Sequence, residues 1–186
     1  MKLTLPLLLT ILRVAAIPAV LVLFYVQFPH ARQWACVLYG AACITDWFDG
    51  YFARRYHQIS RFGRFLDPIA DKLLVAAALV MLVDNGTLSG LNVLAALIIL
   101  AREILVSGLR EFLAELRVGV PVSQLAKWKT GAQMGAITFL LLGDAVPPII
   151  NQIGLVLIWV AAVLTLITGY DYLRTGMRHM AEGGPT

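Results

Sequence analysis

Apolar residues dominate the chain in six long segments, separated by short polar or proline- and glycine-containing stretches. The segments cover residues 5–28, 34–54, 65–84, 90–116, 124–143 and 149–173. Most are close to the roughly 20 residues that a helix needs to cross the hydrocarbon of a bilayer. Several carry polar residues near one end, and we expect those ends to face water or a protein cavity. The pattern predicts an all-α integral membrane protein with six transmembrane helices in a single domain, residues 1–186.

The composition agrees with a membrane protein. Hydrophobic residues make up 60% and charged residues 14% of the 186 residues, whereas soluble domains average about 45–50% apolar residues with glycine included. This excludes a disordered chain, a collagen-like fibre and a nucleic-acid-binding module, although the formal net charge is +4. Six spans with both termini on one side place every lysine and arginine except Arg32 on that side. We therefore predict a multi-pass protein of the cell inner (cytoplasmic) membrane with both termini in the cytoplasm.

Four aspartates stand close together in the sequence at the boundary between the second and third segments. Asp46 and Asp49 are spaced i,i+3, and Asp67 and Asp71 are spaced i,i+4. Each pair shares one face of a helix, and the short loop between the helices allows the two faces to meet. Converging carboxylates repel one another unless cations lie between them. Hard divalent ions, Mg²⁺ or Mn²⁺, are the natural partners of such oxygen ligands.

The residues between the two aspartate pairs suit a diphosphate. Gly50 and Gly63 allow close backbone approach, and arginine side chains, whose forks match phosphate oxygens, stand at positions 54, 55, 61 and 64. Carboxylates, divalent metal and arginines together indicate a site for phosphoryl-type transfer. The alternative is that acids and arginines only form interfacial ion pairs, but the helical spacing of all four aspartates favours a functional site.

These residues resemble the signature of a known family. The segment Asp46-Trp-Phe-Asp49-Gly50-Tyr-Phe-Ala53-Arg54, followed after eight residues by Gly63-Arg-Phe-Leu-Asp67-Pro-Ile-Ala-Asp71, is similar to that of the CDP-alcohol phosphotransferases. The resemblance implies a six-helix membrane bundle, usually a homodimer, that uses two divalent cations, Mg²⁺ or Mn²⁺. It also implies an enzyme that transfers a phosphate-bearing lipid headgroup and releases CMP, with its active site facing the cytoplasm.

The same resemblance implies roles for the signature residues. The metal ligands are Asp46, Asp49, Asp67 and Asp71, of which Asp71 binds the second metal and is also the general base. The residues implied to contact the cytidine nucleotide and its diphosphate are Gly50, Ala53, Arg54 and Gly63. The donor is then CDP-diacylglycerol, with its acyl chains in the lipid bilayer.

A second basic group occupies the fourth and fifth predicted helices. It comprises Arg102, Arg110, Lys127 and Lys129. Arg102 lies deep enough in its segment to be costly unless it is paired or faces a cavity, and an acceptor with its own phosphate, such as sn-glycerol 3-phosphate, provides a partner. Alternatively, Arg102 pairs with Glu103 and Arg110 with Glu111 or Glu115 on the fourth helix, and the basic side chains otherwise extend to the membrane interface. Ala101-Arg102-Glu103-Ile104 and Lys127-Trp-Lys129-Thr-Gly-Ala-Gln133 are similar to the branch of the family whose acceptor is glycerol 3-phosphate.

Several functions remain open at this point. Another CDP-alcohol phosphotransferase would use inositol phosphate, phosphatidylglycerol or serine as acceptor, and the signature does not separate these. A membrane prenyltransferase also holds a diphosphate with aspartates and Mg²⁺, but such enzymes need more helices. An ion or proton transporter would carry carboxylates nearer the middle of the membrane. The sequence favours transfer of a phosphatidyl group from CDP-diacylglycerol to glycerol 3-phosphate.

Overall fold

The structure of the chain is a computed structural model that describes residues 5–26, 30–56, 61–115 and 124–182. These residues form six α-helices and one short 3₁₀ turn, Gly143–Ala145, and contain no strand. The helices are α1 (Leu5–Tyr25), α2 (Ala31–Tyr56), α3 (Arg61–Asp84), α4 (Asn92–Glu115), α5 (Gln124–Leu142) and α6 (Pro148–Glu182). The prediction of an all-α chain with six helices is therefore confirmed.

Three helices extend beyond the apolar segments that predicted them. α2 continues to Tyr56, α3 begins at Arg61, and α6 continues to Glu182. The segments were bounded by their apolar content, whereas a helix continues for as long as its backbone groups bond within it. The polar residues around the aspartate pairs consequently belong to the ends of helices α2 and α3.

Backbone contacts divide the chain into two units. The first comprises Met1–Leu88 and Ile137–Gly154, and the second comprises Ser89–Ala136 and Leu155–Thr186. Helices α5 and α6 each contribute one part to both units. The single domain expected from the sequence stays a prediction.

In the first unit, α1 packs against both α2 and α3. Val20, Ala35 and Met81, one residue from each of these helices, form a buried apolar cluster. At the ends of α1 and α3, the Tyr25 hydroxyl donates a hydrogen bond of 3.0 Å to the Asp84 carboxylate. Burial of apolar side chains thus sets the packing of these helices, and a polar contact fixes their ends.

The start of α2 meets the 3₁₀ turn in the same unit. The Arg32 guanidinium lies over the Phe24 ring, 5.7 Å from its centroid, and 4.0 Å from the Asp144 carboxylate. Gly143 has a φ of +51°, and a Cβ atom added there would collide with Arg32. The turn therefore needs glycine for two reasons, its left-handed backbone and the close approach of the guanidinium.

In the second unit, α4 and α6 pack closely. Ile99, Val106 and Leu113 recur at seven-residue spacing on α4 and are buried. At Gly176 of α6, an added Cβ atom would lie 3.1 Å from the Cδ atoms of Leu109. Small residues on α6 thus let the two helices approach each other.

Two helices in the described part of the chain are long and apolar enough to cross a membrane, Asn92–Ala114 in α4 and Pro148–Arg178 in α6. A shorter apolar stretch, Thr10–Tyr25, lies in α1. Large apolar side chains on α4 and α6 are exposed, with Ile104 at 71% and Val156 at 64%. The number of spans and their orientation stay predictions.

Candidate active site

The first aspartate pair lies in the last turns of α2. Asp46 and Asp49 are one helical turn apart, as their spacing predicted. Their positions continue the i,i+3/i+4 line of Ala35, Tyr39 and Ala42, whose exposed fractions are 0%, 0% and 5%. The helical register therefore puts the pair on the line along which α2 is buried. The side chains of Asp46 and Asp49 lie outside the described part of the structure.

The second pair lies in the first turns of α3. The side chain of Asp67 is outside the described part, whereas Asp71 is described and half-buried. Position 71 continues the buried line of Leu74 and Ala78. The Asp71 carboxylate is near enough to the phenol of Tyr39 on α2 to interact with it electrostatically. The sequence did not single out Tyr39.

The predicted nucleotide-binding residues belong to the same two helix ends. Gly50, Ala53 and Arg54 lie in α2, and Gly63 lies in α3. The Arg54 side chain and the surroundings of all four positions lie outside the described part of the structure. Their roles stay predictions.

The donor set fits a hard divalent cation. All four predicted ligands are carboxylates, which supply only oxygen, and they occur as two one-turn pairs on α2 and α3. Within the described side chains, no three of His, Cys, Asp and Glu lie together, and Asp71 is the one predicted ligand among those side chains. The metal site itself stays a prediction.

The predicted acceptor-binding residues lie in the second unit, and two of them share one partner. Lys129 of α5 is 4% exposed, and its ammonium pairs with the Glu103 carboxylate of α4. The Arg102 guanidinium lies 3.6 Å from the same Glu103 oxygen. Glu103, the partner expected for Arg102 within α4, thus lies beside it, but Glu103 also pairs with Lys129 of α5.

Arg102 is also held by α6. Its Nη2 donates a hydrogen bond of 3.2 Å to the Thr168 hydroxyl. A Cβ atom added at the neighbouring Gly169 would lie 3.0 Å from Arg102 Cγ, so the absence of a side chain at Gly169 gives the arginine room to lie across α6. The Arg102 Nε is buried and has no hydrogen-bond partner in the described part of the chain.

Arg110 and Lys127 do not share the carboxylate that lies beside Arg102 and Lys129. Arg110 Nη2 donates a hydrogen bond of 3.1 Å to the Tyr172 hydroxyl, and its guanidinium lies 5.4 Å from the centroid of the same ring. Lys127 is exposed. The structure thus joins Arg102 and Lys129 through Glu103, holds Arg110 separately against α6, and gives no described contact to Lys127.

The sequence did not identify three of these partners. They are Glu103 for Lys129, Thr168 for Arg102 and Tyr172 for Arg110. A signal was available on α6, because Thr165, Thr168 and Tyr172 are polar residues at helical spacing in an otherwise apolar segment. All three are buried. Polar residues on one face of an apolar helix indicate polar contacts with another helix.

A family model described as CDP-alcohol phosphatidyltransferase matches residues 3–167, which include parts of both units and both groups of predicted site residues. The chain belongs to this family. The resemblance found in the aspartate signature is therefore confirmed.

Individual family members match over nearly the whole chain. A protein of Rickettsia bellii is 51% identical over 172 residues, which cover 91% of this chain and 93% of the relative. A protein of Salmonella choleraesuis is 45% identical, with 93% and 94% covered, and one of Cereibacter sphaeroides is 39% identical, with 98% and 99% covered. All three relatives are named CDP-diacylglycerol–glycerol-3-phosphate 3-phosphatidyltransferase.

Proposed function

We propose that the chain transfers the phosphatidyl group of CDP-diacylglycerol to sn-glycerol 3-phosphate, which gives phosphatidylglycerophosphate and CMP for phosphatidylglycerol and cardiolipin biosynthesis. The observation that carries the proposal is the match to relatives named for this reaction, at 39% to 51% identity over more than nine-tenths of the chain. The aspartate pairs on α2 and α3 and the cations on α4 and α5 agree with a reaction between two phosphate-bearing substrates.

The donor is bound through its diphosphate. Asp46, Asp49, Asp67 and Asp71 would hold two divalent cations, Mg²⁺ or Mn²⁺, which would offset the negative charge of the diphosphate and of the leaving group. Gly50, Ala53 and Gly63 have small or no side chains, so the nucleotide approaches the helix backbone closely. Arg54 donates hydrogen bonds to diphosphate oxygens.

Asp71 is the proposed general base. Its carboxylate accepts the proton of the primary hydroxyl of glycerol 3-phosphate as that oxygen attacks the phosphatidyl phosphorus, and the bond from phosphorus to the CMP oxygen breaks. A carboxylate is a weak base for an alcohol. The alignment of the hydroxyl with the phosphorus therefore contributes much of the acceleration.

The acceptor phosphate is bound by Arg102, Arg110, Lys127 and Lys129. Support comes from Arg102 and Lys129, because their side chains are only 12% and 5% exposed and both lie beside the Glu103 carboxylate. Two cations held close together attract a phosphate dianion. Arginine forks also match phosphate oxygens in shape.

The proposed setting is the cell inner membrane, with six spans, both termini and the active site on the cytoplasmic side, and a homodimer as the assembly. The exposed apolar side chains of α4 and α6 support insertion into lipid. The concentration of lysine and arginine on one side of the predicted spans supports the orientation.

The first test is CMP release by the purified chain in detergent with CDP-diacylglycerol, Mg²⁺ and one candidate acceptor at a time. We expect release with glycerol 3-phosphate, and its loss on chelation of divalent ions with recovery after Mg²⁺ or Mn²⁺ is returned. Asp71→Asn should lower the rate by about 10²-fold or more, the usual contribution of a general base. Asp84→Asn, at the opposite end of the same helix, is the matched control and should keep the rate.

Two results would contradict parts of this proposal. Release with inositol phosphate, phosphatidylglycerol or serine, but not with glycerol 3-phosphate, would leave the family chemistry intact and refute the acceptor. No release with any acceptor, from protein shown to be folded, would refute the transferase and return the carboxylates to a transport role.

A further inference from the structure

Glu103 connects two of the proposed acceptor-binding cations in the second unit. Its Oε1 pairs with the Lys129 ammonium and lies 3.6 Å from Arg102 Nη1. The side chains of Glu103, Lys129 and Arg102 are 15%, 5% and 12% exposed. One carboxylate is therefore shared by two cations in a place with little access to water.

The make-up of this cluster suits a further anion. Two of its three charged side chains are cations and one is a carboxylate, so a phosphate placed beside them meets more positive than negative groups. The Arg102 Nε donor is buried without a hydrogen-bond partner in the described part of the chain. A phosphate dianion provides negative charge and acceptor oxygens for such donors.

The carboxylate also limits the conformations of the two long side chains. Lysine and arginine lose considerable rotamer entropy when they are held in one arrangement. The pairing with Glu103 fixes Lys129 across helices α4 and α5, and the bond from Arg102 to Thr168 fixes the guanidinium against α6. Much of the ordering is thus completed before a ligand arrives, which favours binding.

We infer that Glu103 is a positioning residue for the acceptor phosphate, which it does not touch, and that it acts by holding Lys129 and Arg102 in their binding arrangement. This inference rests on the proposed function. It makes a prediction opposite to that of simple electrostatics. Removal of the carboxylate makes the cluster more positive and should strengthen phosphate binding if charge alone matters, whereas loss of positioning should weaken it.

The test compares Glu103→Leu and Glu103→Gln in the full-length chain, purified in detergent. We expect Glu103→Leu to raise the KM for glycerol 3-phosphate by about ten-fold or more, because binding must then order the two long side chains of Lys129 and Arg102 itself. Glu103→Gln keeps an acceptor oxygen and should be intermediate. Inhibition by inorganic phosphate should weaken in the same order, while the KM for CDP-diacylglycerol stays within about two-fold.

Glu111 provides the matched control, because it is an exposed acid on the same helix. Glu111→Leu and Glu111→Gln should leave both KM values unchanged. The melting temperature of each variant in detergent is measured alongside, and Glu103→Gln keeps the inference testable if Glu103→Leu does not fold.

A double-mutant cycle with Lys129→Met separates positioning from an independent role. Because Glu103 is inferred to act through Lys129 and Arg102, the effects of Glu103→Leu and Lys129→Met on the acceptor KM should together be smaller than the sum of the two single effects. Fully additive effects, an unchanged acceptor KM or a lower one would overturn the inference. Absence of CMP release by the unaltered chain would instead refute the proposed function, so the two failures are distinguishable.

Discussion

Individual side chains on α6 decide how the arginines of α4 are held. Arg110 contacts Tyr172 twice, through a 3.1 Å hydrogen bond from Nη2 to the hydroxyl and through the ring face. Tyr172 is 4% exposed, although its partner arginine is exposed. A buried phenol is therefore the fixed member of this pair, and it limits the positions that the guanidinium can take.

Tyr172→Phe tests this arrangement, because it removes the hydroxyl and keeps the ring. We expect the KM for glycerol 3-phosphate to rise by about two- to five-fold, since one hydrogen bond to a cation is lost while the cation–π contact remains. Steady-state kinetics with varied acceptor measures the change. Tyr170→Phe, two residues away and 64% exposed, is the control. An equal effect of both substitutions would show that the Arg110 contact is unimportant for the acceptor.

At the scale of elements, the 3₁₀ turn before α6 depends on Gly143. The turn lies against the start of α2, where the Arg32 side chain occupies the space that a Cβ atom at position 143 would need. Gly86 follows α3 and also has a positive φ, +77°, but an added Cβ atom there meets nothing within 4 Å. Substitution of the two glycines therefore distinguishes two costs. Both positions have backbone strain, and only position 143 also has a steric clash.

Gly143→Ala should destabilise the chain more than Gly86→Ala. Backbone strain in the left-handed region costs about 1 kcal/mol for either alanine, and only Gly143→Ala also displaces Arg32. Thermal unfolding in detergent measures the difference. Adding Arg32→Ala to Gly143→Ala should recover part of the lost stability, and no recovery would contradict the clash as its cause.

At the scale of the whole molecule, the proposed topology of six spans with cytoplasmic termini predicts which connections face which side of the membrane. The stretch that follows α3 and the 3₁₀ turn before α6 would face away from the cytoplasm, whereas the first residue of α5, Gln124, would face it. The alternation follows from the helix order and from the distribution of basic residues.

Cysteine labelling tests this topology in a variant whose Cys36 and Cys43 are replaced by alanine. Ser89→Cys and Asp144→Cys should react with a membrane-impermeant thiol reagent added outside intact spheroplasts. Gln124→Cys should react only after the membrane is opened. All three positions are exposed in the structure, so differences in labelling report the side of the membrane. Labelling of Gln124→Cys from outside would contradict the six-span arrangement.

The sequence by itself determined the all-α class, the six helices and the helical register of the four aspartates. These features depend on local properties, because apolar segment length sets the helices and i,i+3 or i,i+4 spacing sets a shared face. The family also followed from the sequence, since the signature is a set of residue types at fixed spacing.

Only the tertiary structure decided which groups the second set of cations contacts. Lys129 is 26 residues from Glu103, Arg102 is 66 from Thr168, and Arg110 is 62 from Tyr172. The partners expected from the sequence were acids on the same helix as the arginines. Of these expected pairs, Arg102 with Glu103 is the one found among the described contacts. Which faces of α4, α5 and α6 meet depends on how side chains pack across helices. A local pattern does not contain that information, because each helix presents several faces and packing selects one.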